Sequence, residues 1–244
     1  MSNKLYIKKI IKLCIFKYSD MYILVIVTWN TIKKSIMKES IMKTDSKIYK
    51  LTLTGLMAAL CYIAFTFLKI PIPVPGGDTV ALHIGNAFCV LAALILGGVY
   101  GGIAGSLGMT IADLLDPAYI TSAPKTFILK LCIGLIAGFV AHKIAHITES
   151  NDTKYILKWS LIASIAGLGF NVIADPIVGY FYKNFILGVP SPAAKIMSTW
   201  AAGATTINAI VGTVVVVFVY NALRPALKKA GLFINITDNK KMAA

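Results

Sequence analysis

Several ionisable or carboxamide side chains stand inside the long apolar segments of this sequence. Such groups are costly in a hydrocarbon environment, and by default they mark functional positions. Two carboxylates, one ammonium, one imidazole and the carboxamides together suit the recognition of a small heteroaromatic molecule that carries hydroxyl groups. The candidate substrate-binding residues are His83, Asn86, Asp113, Lys130, Asn171 and Asp175, and Asn208 is a weaker candidate near the middle of its segment.

Spacing places two pairs of these residues on common helix faces. His83 and Asn86 are three residues apart, so that on a helix they would share one face. Asn171 and Asp175 are four apart and would do the same. Pro176 follows directly and would loosen the local backbone hydrogen bonding.

A purely structural role is the alternative for each of these residues. Lys130 would then pair with Asp113 or Asp175 to neutralise buried charge, and the carboxamides would tie helices together. We favour ligand contact for the set as a whole, because six structural polar residues in one membrane bundle are the costlier explanation.

Catalytic and metal-binding patterns are missing from the sequence. His142 and His146 are four residues apart, but neither the glutamate of an HExxH motif nor an obvious third ligand accompanies them. No Ser/His/Asp set, Cys/His set or phosphate-binding loop is recognisable. We therefore expect no enzyme activity, no metal and no cofactor. The cysteines form no CxxC pair and lie far apart, at Cys14, Cys61, Cys89 and Cys132.

The composition identifies the class of protein that must position these side chains. Of 244 residues, 57% are hydrophobic and 14% are charged, and the mean hydropathy is +0.77. A soluble domain would carry roughly 25% charged residues, so an ordinary cytoplasmic enzyme is excluded, as is disorder. The formal net charge is +14, but the basic residues lie between apolar blocks and at the ends, which argues against nucleic-acid binding.

Apolar blocks of this length predict an all-α integral membrane bundle of six transmembrane helices. With both termini cytoplasmic, eleven basic residues from Met42 onward fall inside and four fall outside, as the positive-inside rule requires. Residues 42–232 would form this membrane domain, and 233–244 a polar cytoplasmic tail. The six blocks are 51–68, 82–98, 99–115, 126–146, 158–182 and 193–222.

The first 41 residues differ from the rest in being rich in Lys and Ile. Their longest apolar run, 21–29, is too short to span a bilayer, and no small-residue cleavage site follows it. One hypothesis is a basic amphipathic segment on the inner membrane face. The favoured hypothesis is a mis-assigned start, with translation beginning at Met37 or Met42.

Proline and glycine shape the connections and the packing. Three prolines and a glycine pair predict that residues 69–81 form a stiff, extended, non-helical connection on the outer side. Gly97, Gly101 and Gly105 repeat every fourth residue and favour close helix packing over a docking surface. Gly55 and Ala59 give the first helix a small-residue face as well.

The stretch HIGNAFCVLAALILGGVYGGIAGSLGMTIADLL (83–115) resembles the membrane substrate-binding subunit, or S component, of energy-coupling factor (ECF) vitamin transporters. The resemblance continues through SAPKTFILKLCIGLIAGFVAHKI, FNVIADPIVGYFY and NALRPALKKAGL, and covers about 43–232. It implies six helices with cytoplasmic termini and a vitamin site near the outer face, under the first extracellular loop.

The resemblance also implies partners and a transport role in the bacterial cell membrane. The partners would be one transmembrane coupling subunit and two cytoplasmic ATPases, besides the lipid bilayer and the vitamin. Gly55 and Ala59 would dock the coupling subunit, as GxxxA where the family often has AxxxA. The partners would drive the bundle to topple in the membrane and open the site inward.

The substrate expected from the polar set is a vitamin B6 or hydroxymethylpyrimidine type of ligand, with riboflavin as the alternative. A stand-alone secondary transporter with Asp113 or Asp175 as a proton relay is a rival from another class, and an intramembrane enzyme is disfavoured.

Overall fold

The computed structural model describes residues 48–229 and residue 233. The expectations for residues 1–41 lie outside the described residues, as do those for the tail beyond Phe233. The contacts group Lys50–Ala244 into one unit, and the elements below belong to it apart from the first two residues of the first helix.

Six helices and one hairpin make up the described chain. The apolar blocks form the helices, because a helix satisfies every backbone hydrogen bond within the segment. Turns of π-helix at Val140–Ile144 and Tyr182–Ile186 extend the fourth and fifth helices. The elements are α1 (Ile48–Phe67), β1 (Lys69–Val74), β2 (Asp78–His83), α2 (Gly85–Leu96), α3 (Gly98–Leu114), α4 (Ala123–Phe139), α5 (Thr153–Phe181) and α6 (Ser191–Lys229).

Residues 69–83 form an antiparallel β-hairpin between α1 and α2. Its register pairs Lys69 with His83 at the base and Val74 with Asp78 at the tip. The turn contains Gly76 and Gly77 at φ +105° and +85°, values that favour glycine. The prediction of an extended, non-helical connection is confirmed.

The placement of His83 and Asn86 on one helix face is wrong. His83 is the last residue of β2, whereas Asn86 lies in the first turn of α2. The strand pairing continues to the base of the hairpin, so the block predicted as a helix from residue 82 becomes helical only at Gly85.

Helix α2 is the centre of the bundle. It contacts α3, α4, α5 and α6, and eleven of its twelve residues are buried. It is apolar all round for this reason. Gly97, at φ +91°, separates α2 from α3, next to the predicted boundary between the blocks 82–98 and 99–115.

The glycine repeat packs helices inside the bundle, as predicted. A Cβ on Gly134 of α4 would lie 2.3 Å from the Cα of Gly102 on α3, and one on Gly138 would lie 2.2 Å from the Cα of Gly98. A Cβ on Gly101 would lie 2.3 Å from the Cα of Ala93 on α2. The backbones of these three helices are therefore in direct contact. Such a close approach is possible because glycine has no side chain.

The structure supports a multi-pass membrane bundle. Four helical segments are long and apolar enough to cross a bilayer: Ile48–Phe67, Ile120–Ile144, Thr153–Ile186 and Ser191–Lys229. Helix α2 has 12 residues and rises only about 18 Å, less than the hydrocarbon thickness of about 30 Å. The count of six spans and the cytoplasmic termini remain predictions.

Candidate functional site

A polar cavity opens beside the β-hairpin. Its volume is about 650 Å³, a figure that includes the open solvent at its mouth. Strand β2 forms one wall, and side chains from α1, α3, α4, α5 and α6 form the others. Its polar lining comprises Asp78, Thr79, His83, Asp113, Tyr119, Ser122, Lys125, Thr126, Lys130, Asp175, Lys183, Thr205 and Asn208.

Four of the six predicted site residues line this cavity: His83, Asp113, Lys130 and Asp175. Asn86 and Asn171 are buried and lie outside the lining. The weaker candidate, Asn208, is part of the wall instead.

The carboxylate of Asp175 pairs with Lys125. The Nζ of Lys125 lies 3.0 Å from Oδ1 of Asp175, and both side chains are mostly buried. The structural alternative paired Lys130 with Asp113 or Asp175, and the ion pairs of the described residues include neither pairing. Lys125 lies in the first turn of α4, and the sequence interpretation counted it only as an outer basic residue.

Lys130 reaches a neutral partner. Its Nζ donates to Oδ1 of Asn171 at 3.4 Å, so Asn171 supports the ammonium from behind the cavity wall. The described ion pairs do not include Lys130. Lys130 is 6% exposed and lines the cavity, so its ammonium is available to a ligand.

Asp113 is the matching carboxylate. It is 3% exposed, and the hydroxyl of Thr126 on α4 hydrogen-bonds to it. It too is absent from the ion pairs of the described residues. The cavity thus offers one unpaired cation and one unpaired anion, on neighbouring helices.

The hairpin is joined to the bundle by two ion pairs. Lys69 of β1 pairs with Asp116, in the connection after α3. Lys183, in the π-helical turn after α5, pairs with Asp78 at the start of β2. The hydrogen bond from Lys69 lowers the pKa of Asp116, so this carboxylate is charged at neutral pH.

Three rings form an aromatic corner of the cavity. Phe65 meets His83 edge-on at 4.8 Å and Tyr119 at 5.7 Å between ring centroids. The hydroxyl of Tyr119 is buried without a hydrogen-bond partner among the described residues, and burial raises the pKa of Tyr119 to about 12. This hydroxyl stays protonated and can serve a ligand.

Asn208 binds the edge of β2. Its Oδ1 accepts from the backbone N–H of His83 at 2.9 Å, and its Nδ2 donates to the carbonyl of Ala81 at 3.0 Å. In the sequence, the only feature that indicated this contact was a carboxamide in the middle of an apolar segment. The signals for Lys125, Thr126 and Tyr119 were weaker, since each stands near the end of a segment.

The remaining candidates from the sequence, the histidine pair and Asn86, lie outside the cavity lining. Both ring nitrogens of His142 are engaged, by the Thr148 hydroxyl at 3.0 Å and the Ala93 carbonyl at 2.9 Å. Among the described residues, no three His, Cys, Asp or Glu side chains gather as metal ligands would. Asn86 is 2% exposed, and its Oδ1 has no partner in the described chain.

Gly55 and Ala59 lie on the open face of α1. Both are exposed, and a Cβ on Gly55 would have nothing within 4 Å. These two residues contribute nothing to packing within the bundle at this face, so docking of a partner remains the prediction for them.

Comparison with known proteins places the chain among transporter subunits. The sequence model described as "ECF-type riboflavin transporter, S component" matches residues 45–225. Proteins from three serotypes of Streptococcus agalactiae, each described as a UPF0397 protein, are 28% identical over 152 residues, which is 62% of this chain and 77% of each of them.

One solved structure shares the fold. It is reported as the structure and mechanism of the S component of a bacterial ECF transporter, and it aligns with a TM-score of 0.53 and 20% identity over 75% of this chain and 99% of its own. Another, the S component for biotin from an ECF-type ABC transporter, aligns with a TM-score of 0.49 and 23% identity.

Proposed function

The chain belongs to the family of ECF-type riboflavin transporter S components, and we propose that its cavity binds a vitamin or vitamin precursor of the B6 or hydroxymethylpyrimidine type. S components are the substrate-binding membrane subunits of vitamin transporters and are not themselves enzymes. The proposal therefore concerns the ligand, the residues that hold it and the partners that drive its release.

One observation carries the choice of ligand: Lys130 and Asp113 line the cavity without ion pairs. The other charged side chains of the lining form two ion pairs, Lys125 with Asp175 and Lys183 with Asp78. A ligand that offers an acceptor to Lys130 and a donor to Asp113 would satisfy both groups. A small heteroaromatic ring with a ring nitrogen and hydroxyl or amino substituents has both functions on one molecule.

The aromatic corner supports a ring-shaped ligand. Phe65, His83 and Tyr119 present ring surfaces to the cavity, and aromatic rings prefer offset or edge-on contact with one another. The free hydroxyl of Tyr119 adds a hydrogen bond near these surfaces. Ring contact with charge-assisted hydrogen bonds at one end would give both affinity and orientation.

The partners follow from the family. S components work with a transmembrane coupling subunit and with ATPase subunits. We propose that two cytoplasmic ATPases power this transporter in the bacterial plasma membrane, and that the coupling subunit docks on α1 at Gly55 and Ala59. A small-residue face lets a neighbouring helix approach closely. The partners would then topple the bundle and release the vitamin inward.

The test of this function is identification of the ligand that accompanies the protein. The chain is expressed without partners, purified in detergent and denatured, and the released small molecules are identified by mass spectrometry. We expect a pyridine or pyrimidine vitamin in wild type and its loss from Lys130→Met. A protein that releases no vitamin after expression in rich medium contradicts the proposal.

Riboflavin is the second candidate, because the matching family is described by that vitamin. Its isoalloxazine ring is larger, and its ring N3–H and ribityl hydroxyls also offer donors to Asp113 beside carbonyl acceptors for Lys130. The mass spectra from the same preparation distinguish the two ligands directly.

A further inference from the structure

His83 is the last residue of β2, and its side chain lines the cavity. Two contacts hold it in place. Its backbone N–H donates to Oδ1 of Asn208 at 2.9 Å, and its ring meets the ring of Phe65 edge-on, with 4.8 Å between the centroids. Backbone and ring are therefore both fixed, so the two ring nitrogens have defined positions in the cavity wall.

Gly85 determines which ring nitrogen of His83 carries the proton. Its backbone N–H donates to Nδ1 of His83 at 3.1 Å. Gly85 is the first residue of α2, where the N–H has no partner within the helix itself. A ring nitrogen that accepts a hydrogen bond carries no proton, so the proton of the neutral imidazole lies on Nε2.

The charges around the ring favour its neutral form. Those that act on it are the ammonium groups of Lys130 on α4 and Lys69 on β1 and the carboxylate of Asp175 on α5. Asp113 on α3 lines the same cavity, and the ion pairs of the described residues do not join it to the ring. A second proton would add a positive charge beside two ammonium groups, and the doubly protonated ring could no longer accept from Gly85.

Nε2 is the polar atom of the ring that is left for a ligand. The hydrogen bonds of the described residues occupy the backbone N–H and Nδ1 of His83 and do not include Nε2. We propose that His83 is a specificity-determining residue: Gly85 holds it as the neutral Nε2–H tautomer, and Nε2 donates a hydrogen bond to an acceptor on the ligand. The donor role rests on the proposed function, because it needs a vitamin in the cavity. The tautomer is a property of the ligand-free chain.

This donor adds a second acceptor to the description of the ligand. The ammonium of Lys130 and the Nε2–H of His83 only donate, whereas the carboxylate of Asp113 only accepts. The ligand then carries at least two acceptors, such as ring nitrogens or hydroxyl oxygens, beside the donor that faces Asp113. A pyrimidine with two ring nitrogens meets this requirement, as does a pyridine with hydroxyl groups. Riboflavin meets it too, so the inference does not depend on the choice among these vitamins.

The tautomer is tested in the purified, ligand-free chain. Its histidines are labelled with ¹⁵N, and a long-range ¹H–¹⁵N correlation spectrum in detergent micelles identifies the protonated nitrogen of each ring. The sequence has three histidines, His83, His142 and His146, and the signals of His83 are those missing from His83→Gln. We expect the neutral Nε2–H pattern for His83 from about pH 5.5 to about pH 8. A proton on Nδ1, or titration of this ring within that range, overturns the proposal.

The role of Gly85 is tested with a matched pair of substitutions. Gly85→Ala and Gly85→Pro both place a Cβ 3.2 Å from Nδ1 of His83, but only proline removes the N–H. Proline is favoured at the first position of a helix, so α2 keeps its start. We expect the Ala variant to keep the Nε2–H pattern, and the Pro variant to show both tautomers or to titrate near about pH 6.5. Identical spectra would show that Gly85 does not set the tautomer, and the wild-type spectrum decides the tautomer even if the Pro variant does not fold.

The donor role is tested by calorimetric titration with pyridoxine, hydroxymethylpyrimidine and riboflavin. His83→Gln supplies an amide N–H in place of Nε2–H, whereas His83→Phe keeps an aromatic ring without a donor. We expect His83→Gln to bind within about threefold of wild type and His83→Phe to bind at least about fivefold more weakly. Wild-type affinity in His83→Phe, or equal loss in both variants, contradicts the donor role. A wild-type protein that binds none of the three contradicts the proposed function and the donor role together, whereas the tautomer is decided by the spectrum alone.

Discussion

The Nζ of Lys125 lies 3.0 Å from the carboxylate of Asp175, and this pair determines which charges in the cavity are left for a ligand. Lys125 forms the ion pair with Asp175, and the ammonium of Lys130 donates its hydrogen bond to the carboxamide oxygen of Asn171. The cavity wall therefore combines charges that hold the protein together with charges that are available to a substrate.

Lys130→Met should weaken vitamin binding. The change keeps most of the side-chain volume and removes one charge-assisted hydrogen bond, which contributes about 1.5–3 kcal/mol, or roughly 10- to 100-fold in affinity. Isothermal titration of the purified chain measures this. Lys195→Met is the control, since Lys195 is exposed and lies outside the cavity, and it should bind like wild type.

Asp175→Asn should reduce stability by about 3–5 kcal/mol, because it leaves the Lys125 ammonium buried without a counter-charge. Thermal unfolding in detergent measures the loss. Replacing both partners, as Lys125→Met with Asp175→Leu, should recover much of it, since no buried charge remains. A double variant as unstable as Asp175→Asn would show that the pair has some other role.

Gly134→Ala should disrupt the contact between α3 and α4. The added methyl would lie 2.3 Å from the backbone of Gly102, which cannot rotate away, and overpacking of this kind costs about 1–3 kcal/mol or more. Gly169→Ala is the matched control on α5, because a Cβ there meets nothing within 4 Å. We expect the melting temperature to fall for the first variant and to stay level or rise slightly for the second.

Gly55→Leu should separate substrate binding from transport. The open face of α1 accommodates the larger side chain, so the isolated protein should bind its vitamin normally. Co-purification with the coupling subunit, and uptake by cells, should fall strongly because close helix approach is blocked. Gly169→Leu, also on an open surface, should assemble normally; assembly of Gly55→Leu at the wild-type level would place the docking face elsewhere.

The helices could be predicted because they depend on local sequence. Long apolar blocks need a helix in lipid, and the break at Gly97 and the internal packing of the glycine repeat follow from the small size of that residue. The extended character of residues 69–81 was equally local, since the prolines there exclude a helix.

The pairing of side chains across elements could not be predicted in the same way. His83 was misplaced because strand register depends on β1, and Asn208 was undervalued because its partners are backbone atoms over 120 residues away. In the sequence, Lys130 alone was considered as a partner for Asp175. Only the rotation of α4 against α5 decides that Lys125 takes the carboxylate and Lys130 takes Asn171.

The central claim is that this chain alone binds a small heteroaromatic vitamin through the cavity beside the hairpin. The direct measurement is a calorimetric titration of the purified, ligand-free protein with pyridoxine, hydroxymethylpyrimidine and riboflavin, repeated with Lys130→Met and with Asp113→Asn. We predict saturable, one-to-one binding of pyridoxine or hydroxymethylpyrimidine that both substitutions weaken. Binding of riboflavin alone would contradict the ligand assignment, and binding that both variants retain at full strength would contradict the site.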